Sequence, residues 1–162
     1  FLEESAGEES APKEDFLSGK SILLLQYEDI DRTLVEVMLK KLGCHVVSVA
    51  DPEAAMNALS TLPFDAFISE SHLHDIDIKH FIESSKVTNQ KCHNNAYRLP
   101  ILGFSQKEHE GEETHCLQSG MNYYIDSPLQ IDDLRAILRR WIGRAIHMAE
   151  QADSKDNQEA SK

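Results

Sequence analysis

Phe64-Asp65-Ala66-Phe67-Ile68-Ser69-Glu70 is the stretch that decides the fold. A turn signal, Leu62-Pro63, opens it, the apolar run Ala66-Phe67-Ile68 fills it, and the carboxylate of Glu70 ends it. Ser71-His72-Leu73-His74-Asp75 comes directly after. A short apolar run with helical patterns on both sides reads as a central strand buried on both faces. In open α/β sheets the chemistry gathers at the carboxyl ends of such strands, so Glu70 is the first candidate site residue.

Working upstream, Ser21-Ile22-Leu23-Leu24-Leu25 is a second buried strand. Residues 29–42 carry Ile30, Leu34, Val37, Met38 and Leu42 at helical spacing, with Gly43 as the stop. Residues 44–49, with Val46, Val47 and Val49, read as a strand. Asp51-Pro52 starts the next helix, the acid as N-cap and Pro in the first turn, with Ala55, Met56 and Leu59 facing inward.

Downstream, residues 76–85 form a weaker helix through Ile78, Phe81 and Ile82. The polar stretch from Lys86 to Arg98 has no periodicity and reads as the longest loop, a mobile one. A strand over 100–104, a polar helix over 107–119 closed by Gly120, and a short strand over 122–125 come next. The final helix, 129–149, carries the stripe Leu134, Ile137, Leu138, Trp141, Ile142, Ala145 and Met148. Five βα units are too few for an eight-fold barrel. Right-handed crossovers then favour a doubly wound five-stranded parallel sheet of order 2-1-3-4-5, a flavodoxin-like (βα)5 fold.

The chain of 162 residues suits one domain with a real core. With 28 acids against 16 Lys and Arg its formal net charge is −12, and no basic face is offered to nucleic acid. Residues 1–15 hold six acids against Lys13 and too few apolar side chains to order themselves. The expected organisation is a flexible acidic linker over 1–17, a folded domain over 18–149 and a flexible polar tail over 150–162. No run is apolar enough to span a bilayer and no signal-peptide pattern is present, which predicts no direct membrane contact and a cytoplasmic setting. A first residue of Phe rather than Met reads as a segment of a longer chain. Cys44, Cys92 and Cys116 are widely spaced without a CxxC pair, and read as reduced thiols rather than a disulfide or metal set.

His72, His74 and His80 lie close in sequence to Asp75 and Asp77. Zinc needs three or four ligands converging tetrahedrally, and the pattern reads instead as solvated surface, with pH sensing as the milder alternative. No nucleophile elbow surrounds Ser105, which reads as a pocket hydroxyl. Arg139, Arg140 and Arg144 read as a solvated face. No Gly-rich phosphate loop succeeds the first strand, where Gln26-Tyr27-Glu28-Asp29 would repel phosphate, so a flavin or nucleotide cofactor is not expected.

Three stretches carry a family likeness: Leu17-Ser18-Gly19-Lys20, Asp29-Ile30-Asp31-Arg32, and Cys116-Leu117-Gln118-Ser119-Gly120-Met121-Asn122-Tyr123-Tyr124-Ile125-Asp126-Ser127-Pro128-Leu129. Over residues 18–141 the chain resembles the receiver (CheY-like) domain of two-component signalling, in the form found in hybrid sensor histidine kinases. In that family an Asp ending the third strand accepts a phosphoryl group. Two acids ending the first strand bind Mg²⁺ with it, and a Ser or Thr ends the fourth strand. A Lys precedes the Pro after the fifth. The metal and the Lys neutralise charge on the transferring phosphoryl.

The resemblance places Gln26 and Tyr27 at the acid pair, Glu70 at the acceptor and Ser127 at the Lys position. Ser105 and Tyr124 keep the hydroxyl and the aromatic that switches inward on activation. An amide and a phenol do not replace two hard carboxylate ligands. These positions predict a pseudo-receiver that is neither phosphorylated nor catalytic, binding no metal. Its role is a protein-interaction or regulatory module of a phosphorelay sensor kinase anchored in a membrane. Its partner is then a histidine kinase core or a phosphotransfer domain, docked on the fourth helix, fifth strand and fifth helix, with the oligomeric state left open. The alternative is a working phosphoacceptor using unorthodox ligands around Glu70.

Overall fold

A computed structural model describes residues 16–74, 76–92, 98–104, 111–126 and 128–160. Five strands, β1 (Ser21–Leu25), β2 (His45–Val49), β3 (Ala66–Glu70), β4 (Ile101–Phe104) and β5 (Tyr123–Ile125), form one parallel sheet of order β2-β1-β3-β4-β5. Five helices alternate with them: α1 (Asp29–Lys41), α2 (Pro52–Thr61), α3 (Ile78–Cys92), α4 (Glu112–Gln118) and α5 (Ile131–Ala160). This is the flavodoxin-like architecture expected from the alternation of short apolar runs and helical patterns.

The period-2 alternation of each strand feeds two separate cores. Ile22, Leu24, Ala66, Ile68, Leu102 and Phe104 point to the face covered by Val35 and Leu39 of α1 and by Leu134, Leu138 and Ile142 of α5. Leu23, Leu25, Phe67 and Ile101 point to the other, beneath Ala55 and Leu59 of α2, Phe81 and Ile82 of α3, and Cys116 of α4. The α2 start obeys its sequence signal, with the Asp51 carboxylate accepting the Ala54 amide at 2.8 Å and Pro52 in the first turn. Gly43 ends the α1 turn at φ +91°, where a side chain would be strained and would press on Ser18. Cys44 and Cys116 are buried free thiols, and burial pushes them up to about 11 and about 12.

Several expectations need correcting. The polar stretch 86–98 is not all loop, because α3 runs on to Cys92. Its apolar period fails because two polar residues occupy the buried face. Ser85 donates to the Phe81 carbonyl at 2.8 Å, and the Asn89 side-chain oxygen accepts the Phe64 amide at 3.2 Å. In α1 the inward residues are Val35 and Leu39, whereas Ile30, Leu34 and Val37 are 83%, 41% and 45% exposed. The helix is therefore turned about its axis relative to the face its strongest apolar residues suggest.

Two residues ahead of position 18 also take part in the packing. Leu17 is buried in the first core with Phe16 packed against it, and the Gly19 amide bonds the Gly43 carbonyl at 2.9 Å. At the other end the helix expected over 129–149 continues to Ala160, with Met148 exposed rather than packed. Of the helix expected over 107–119, α4 covers Glu112–Gln118, and residues 107–110 lie outside the described residues. Arg140 and Arg144 are not simply solvated, since both guanidinium groups lie over the Trp141 ring, at 5.6 and 4.9 Å from its centre.

Candidate functional site at the strand ends

The order β2-β1-β3-β4-β5 reverses direction between β1 and β3, and these two central strands stop beside one another. The segments leaving their carboxyl ends therefore share a cleft, whatever their chemistry. Gln26, directly after β1, is fully buried, and its amide nitrogen donates to the Phe104 carbonyl at 3.5 Å. Its side-chain oxygen has no hydrogen-bond partner among the described residues. Its backbone carbonyl accepts from the Arg32 guanidinium at 2.8 Å, and Arg32 also pairs with Asp29.

Tyr27 spans the cleft in two ways. Its backbone amide donates to the Glu70 carboxylate at 2.9 Å. Its ring stacks on the His74 imidazole at 4.8 Å and 23°, and its hydroxyl accepts the His74 amide at 3.1 Å. Glu70 is half-buried, and burial raises its carboxyl above the usual range. The Tyr27 amide opposes that rise, Asp31 adds to it, His74 opposes it and Glu28 adds to it.

Of the other expected site residues, Tyr124 is buried, packed in the second core and paired in register with Gly103. Ser105 and Ser127 lie outside the described residues, as does Asp75. The three histidines are dispersed rather than clustered. His74 lies on Tyr27, His80 faces the Ser84 hydroxyl at 3.5 Å on α3, and His72 reaches α4. Asp77 accepts the Lys79 amide at 3.1 Å at the start of α3. Among the described residues no group of three His, Cys, Asp or Glu side chains is arranged to hold a metal ion.

One arrangement has no counterpart in the sequence pattern. Glu112, the first residue of α4, is buried and accepts from the Ser71 hydroxyl; its other oxygen meets His72 Nε2 at 2.8 Å. The His72 ring stacks in turn on His115 at 4.5 Å. Forty residues separate Glu112 from His72, so no local pattern announces the contact. It clamps the segment after β3 onto α4.

No family model matches the chain. It is 27% identical over 135 residues to the sensor histidine kinase GacS of Pseudomonas protegens, covering 82% of this chain and 14% of that protein's length. Among solved structures, the receiver domain of the Pseudomonas aeruginosa sensor histidine kinase PA1611 is 31% identical, with a TM-score of 0.62 over 78% of this chain and 99% of that one. That domain was crystallised with a magnesium ion in its active-site cleft. The Saccharomyces cerevisiae Ssk1 receiver, crystallised with the phosphotransfer protein Ypd1, shares the fold at 13% identity and a TM-score of 0.63, over 82% of this chain and 93% of that one. Among the described residues no helix is long and apolar enough to cross a membrane. With 31% identity across nearly the whole of a solved receiver domain, and the sheet order and strand-end cleft described above, the chain belongs to the receiver (CheY-like) domain family of two-component signalling.

Proposed function

We propose that this receiver domain is a protein-interaction and regulatory module of a phosphorelay sensor kinase and does not itself accept a phosphoryl group. The observation that carries the reading is the contact between Tyr27 and Glu70. The cleft's carboxylate is engaged by a backbone amide, and a stacked Tyr27–His74 pair lies beside it.

Mg²⁺ demands near-octahedral oxygen ligands supplied by one or two carboxylates and water. Gln26 is buried with its amide nitrogen on Phe104, the Tyr27 hydroxyl is turned to His74, and Glu70 supplies one carboxylate. This donor set does not fit the ion, and no transfer step is derived through it. The isolated domain catalyses no reaction in this reading and carries no cofactor.

The partner is a histidine kinase core or a phosphotransfer domain, in the setting of a cytoplasmic segment of a membrane-anchored kinase. The pairing of Ssk1 with Ypd1 supports the class of partner. The surface formed by α4, β5 and α5 supports its place. A groove of about 410 Å³ runs between β5 and α5, lined by Tyr123, Leu129, Ile137 and Trp141, with Asp126 and Arg140 at its sides. The test is incubation with acetyl phosphate and Mg²⁺, then measurement of intact mass. The expected result is no phosphoryl gain, while the Gln26→Asp/Tyr27→Asp/Glu70→Asp variant becomes labelled.

The second reading is a phosphoacceptor with unorthodox ligands around Glu70, for which Glu28 and Asp29, one and two residues past Tyr27, would supply the carboxylates. A phosphoryl group found on the parent chain and mapped to Glu70 would select it.

A further inference from the structure

Helix α1 buries Val35 and Leu39, and its outer face is apolar where an outer face is ordinarily charged. Ile30, Leu34 and Val37, with Asp29 and Thr33, line an open groove of about 460 Å³. Spacings of four and three residues, then four more to Lys41, form a three-turn seam of the kind that seats a second helix. An uncovered stripe of this kind marks an interaction surface.

The charges along α1 select the occupant. Glu28, Asp29 and Asp31 stand at its start, and Lys40 and Lys41 at its end. Consider a second α1 laid antiparallel about a two-fold axis near Val35 and Glu36. Leu34 of each copy then meets Val37 of the other, and Ile30 lies on the aliphatic stem of Lys41. The acidic start of each helix faces the basic end of its mate. A parallel pairing would oppose acid to acid and base to base. We propose that this face of α1 pairs with the same face of a second copy of the chain, as an antiparallel isologous contact. One helix face is a small interface, so the association is weak and concentration-dependent. It is independent of whether Glu70 is phosphorylated.

Sedimentation velocity of the whole 162-residue chain over a concentration series tests this. The expected result is a monomer–dimer equilibrium weakened about tenfold or more by Leu34→Asp. Val37→Asp serves as a second probe should the first disturb folding. Two charge variants, Lys40→Glu/Lys41→Glu and Glu28→Lys/Asp29→Lys, change only exposed side chains and should each self-associate less than the parent. Mixed together they should associate, because acid then faces base at both ends. A parent chain monomeric throughout the series overturns the proposal. So do both seam variants dimerising like the parent, or a mixture that stays monomeric. A monomeric parent that binds a phosphotransfer domain through Leu34 would give the face to that partner and overturn it equally.

Discussion

Tyr27 gives its backbone amide to the Glu70 carboxylate at 2.9 Å, joining the loop after β1 to the last residue of β3. The contact needs no particular side chain at position 27, since the donor is main chain. The acceptor does need a side chain that reaches across, and glutamate is one methylene longer than the aspartate that receivers carry.

Replacing Glu70 by Gln keeps an oxygen to accept the Tyr27 amide and removes the half-buried charge. The folded carboxyl is raised above its usual 4.5, chiefly by burial, so the native state holds this proton more tightly than the unfolded chain. Its ionisation therefore costs stability as pH rises through that interval, and the cost persists at neutral pH. Glu70→Gln should be more stable than the parent in urea at neutral pH, with the difference shrinking as the solution is acidified toward the carboxyl's ordinary range. A difference that grows on acidification would contradict this assignment.

Gln26→Asp/Tyr27→Asp restores two acids beside Glu70 and buries one of them at a fully enclosed position. Like charges in one cleft repel, so metal-free stability should fall by about 1–2 kcal/mol at neutral pH. Mg²⁺ should recover part of that loss in the variant and leave the parent's denaturation midpoint unchanged. Amide shifts over residues 25–28 and 69–71 on Mg²⁺ addition check the same point.

Glu112→Ala removes the acceptor shared by Ser71 and His72. The hydroxyl of Ser71 is then left buried without that partner, at a cost of about 1–3 kcal/mol. His72→Ala should cost less, because that side chain is half exposed. Urea denaturation ranks the two, and the opposite order would place the weight of the clamp on the imidazole.

Gly103→Ala tests the packing under β4. A methyl group there would stand 2.5 Å from the Cys116 sulfur and 2.7 Å from that of Met121. Overpacking of this kind costs about 1–3 kcal/mol. Adding Cys116→Ala should recover part of it, which thermal melts of the single and double variants would read.

The sheet was legible because its signals are local. Ser21–Leu25 and Ala66–Glu70 are apolar runs of strand length, and Asp51-Pro52 states its own cap. The errors fall where polarity and burial part company. Asn89 is polar and enclosed, which hid the second half of α3, while Ile30 is apolar and exposed, which misplaced the face of α1. At the cleft the positions of Gln26, Tyr27 and Glu70 could be read from strand ends, but the Tyr27–His74 stack joins residues 47 apart and leaves no periodic trace. Glu112 was invisible for the same reason.

The packing of Phe16 and Leu17 at the entrance to β1 has a consequence for how the domain can be held. Strands run from that base toward the cleft, and α5 returns from the cleft side to the base, where Phe16 approaches Gly143. The segment entering β1 and the middle of α5 thus meet at one pole, and Glu70 looks out from the opposite pole. A tether on either segment restrains the base and leaves the rim free to be presented. Torque delivered through α5 would reach the first core before it reached the cleft.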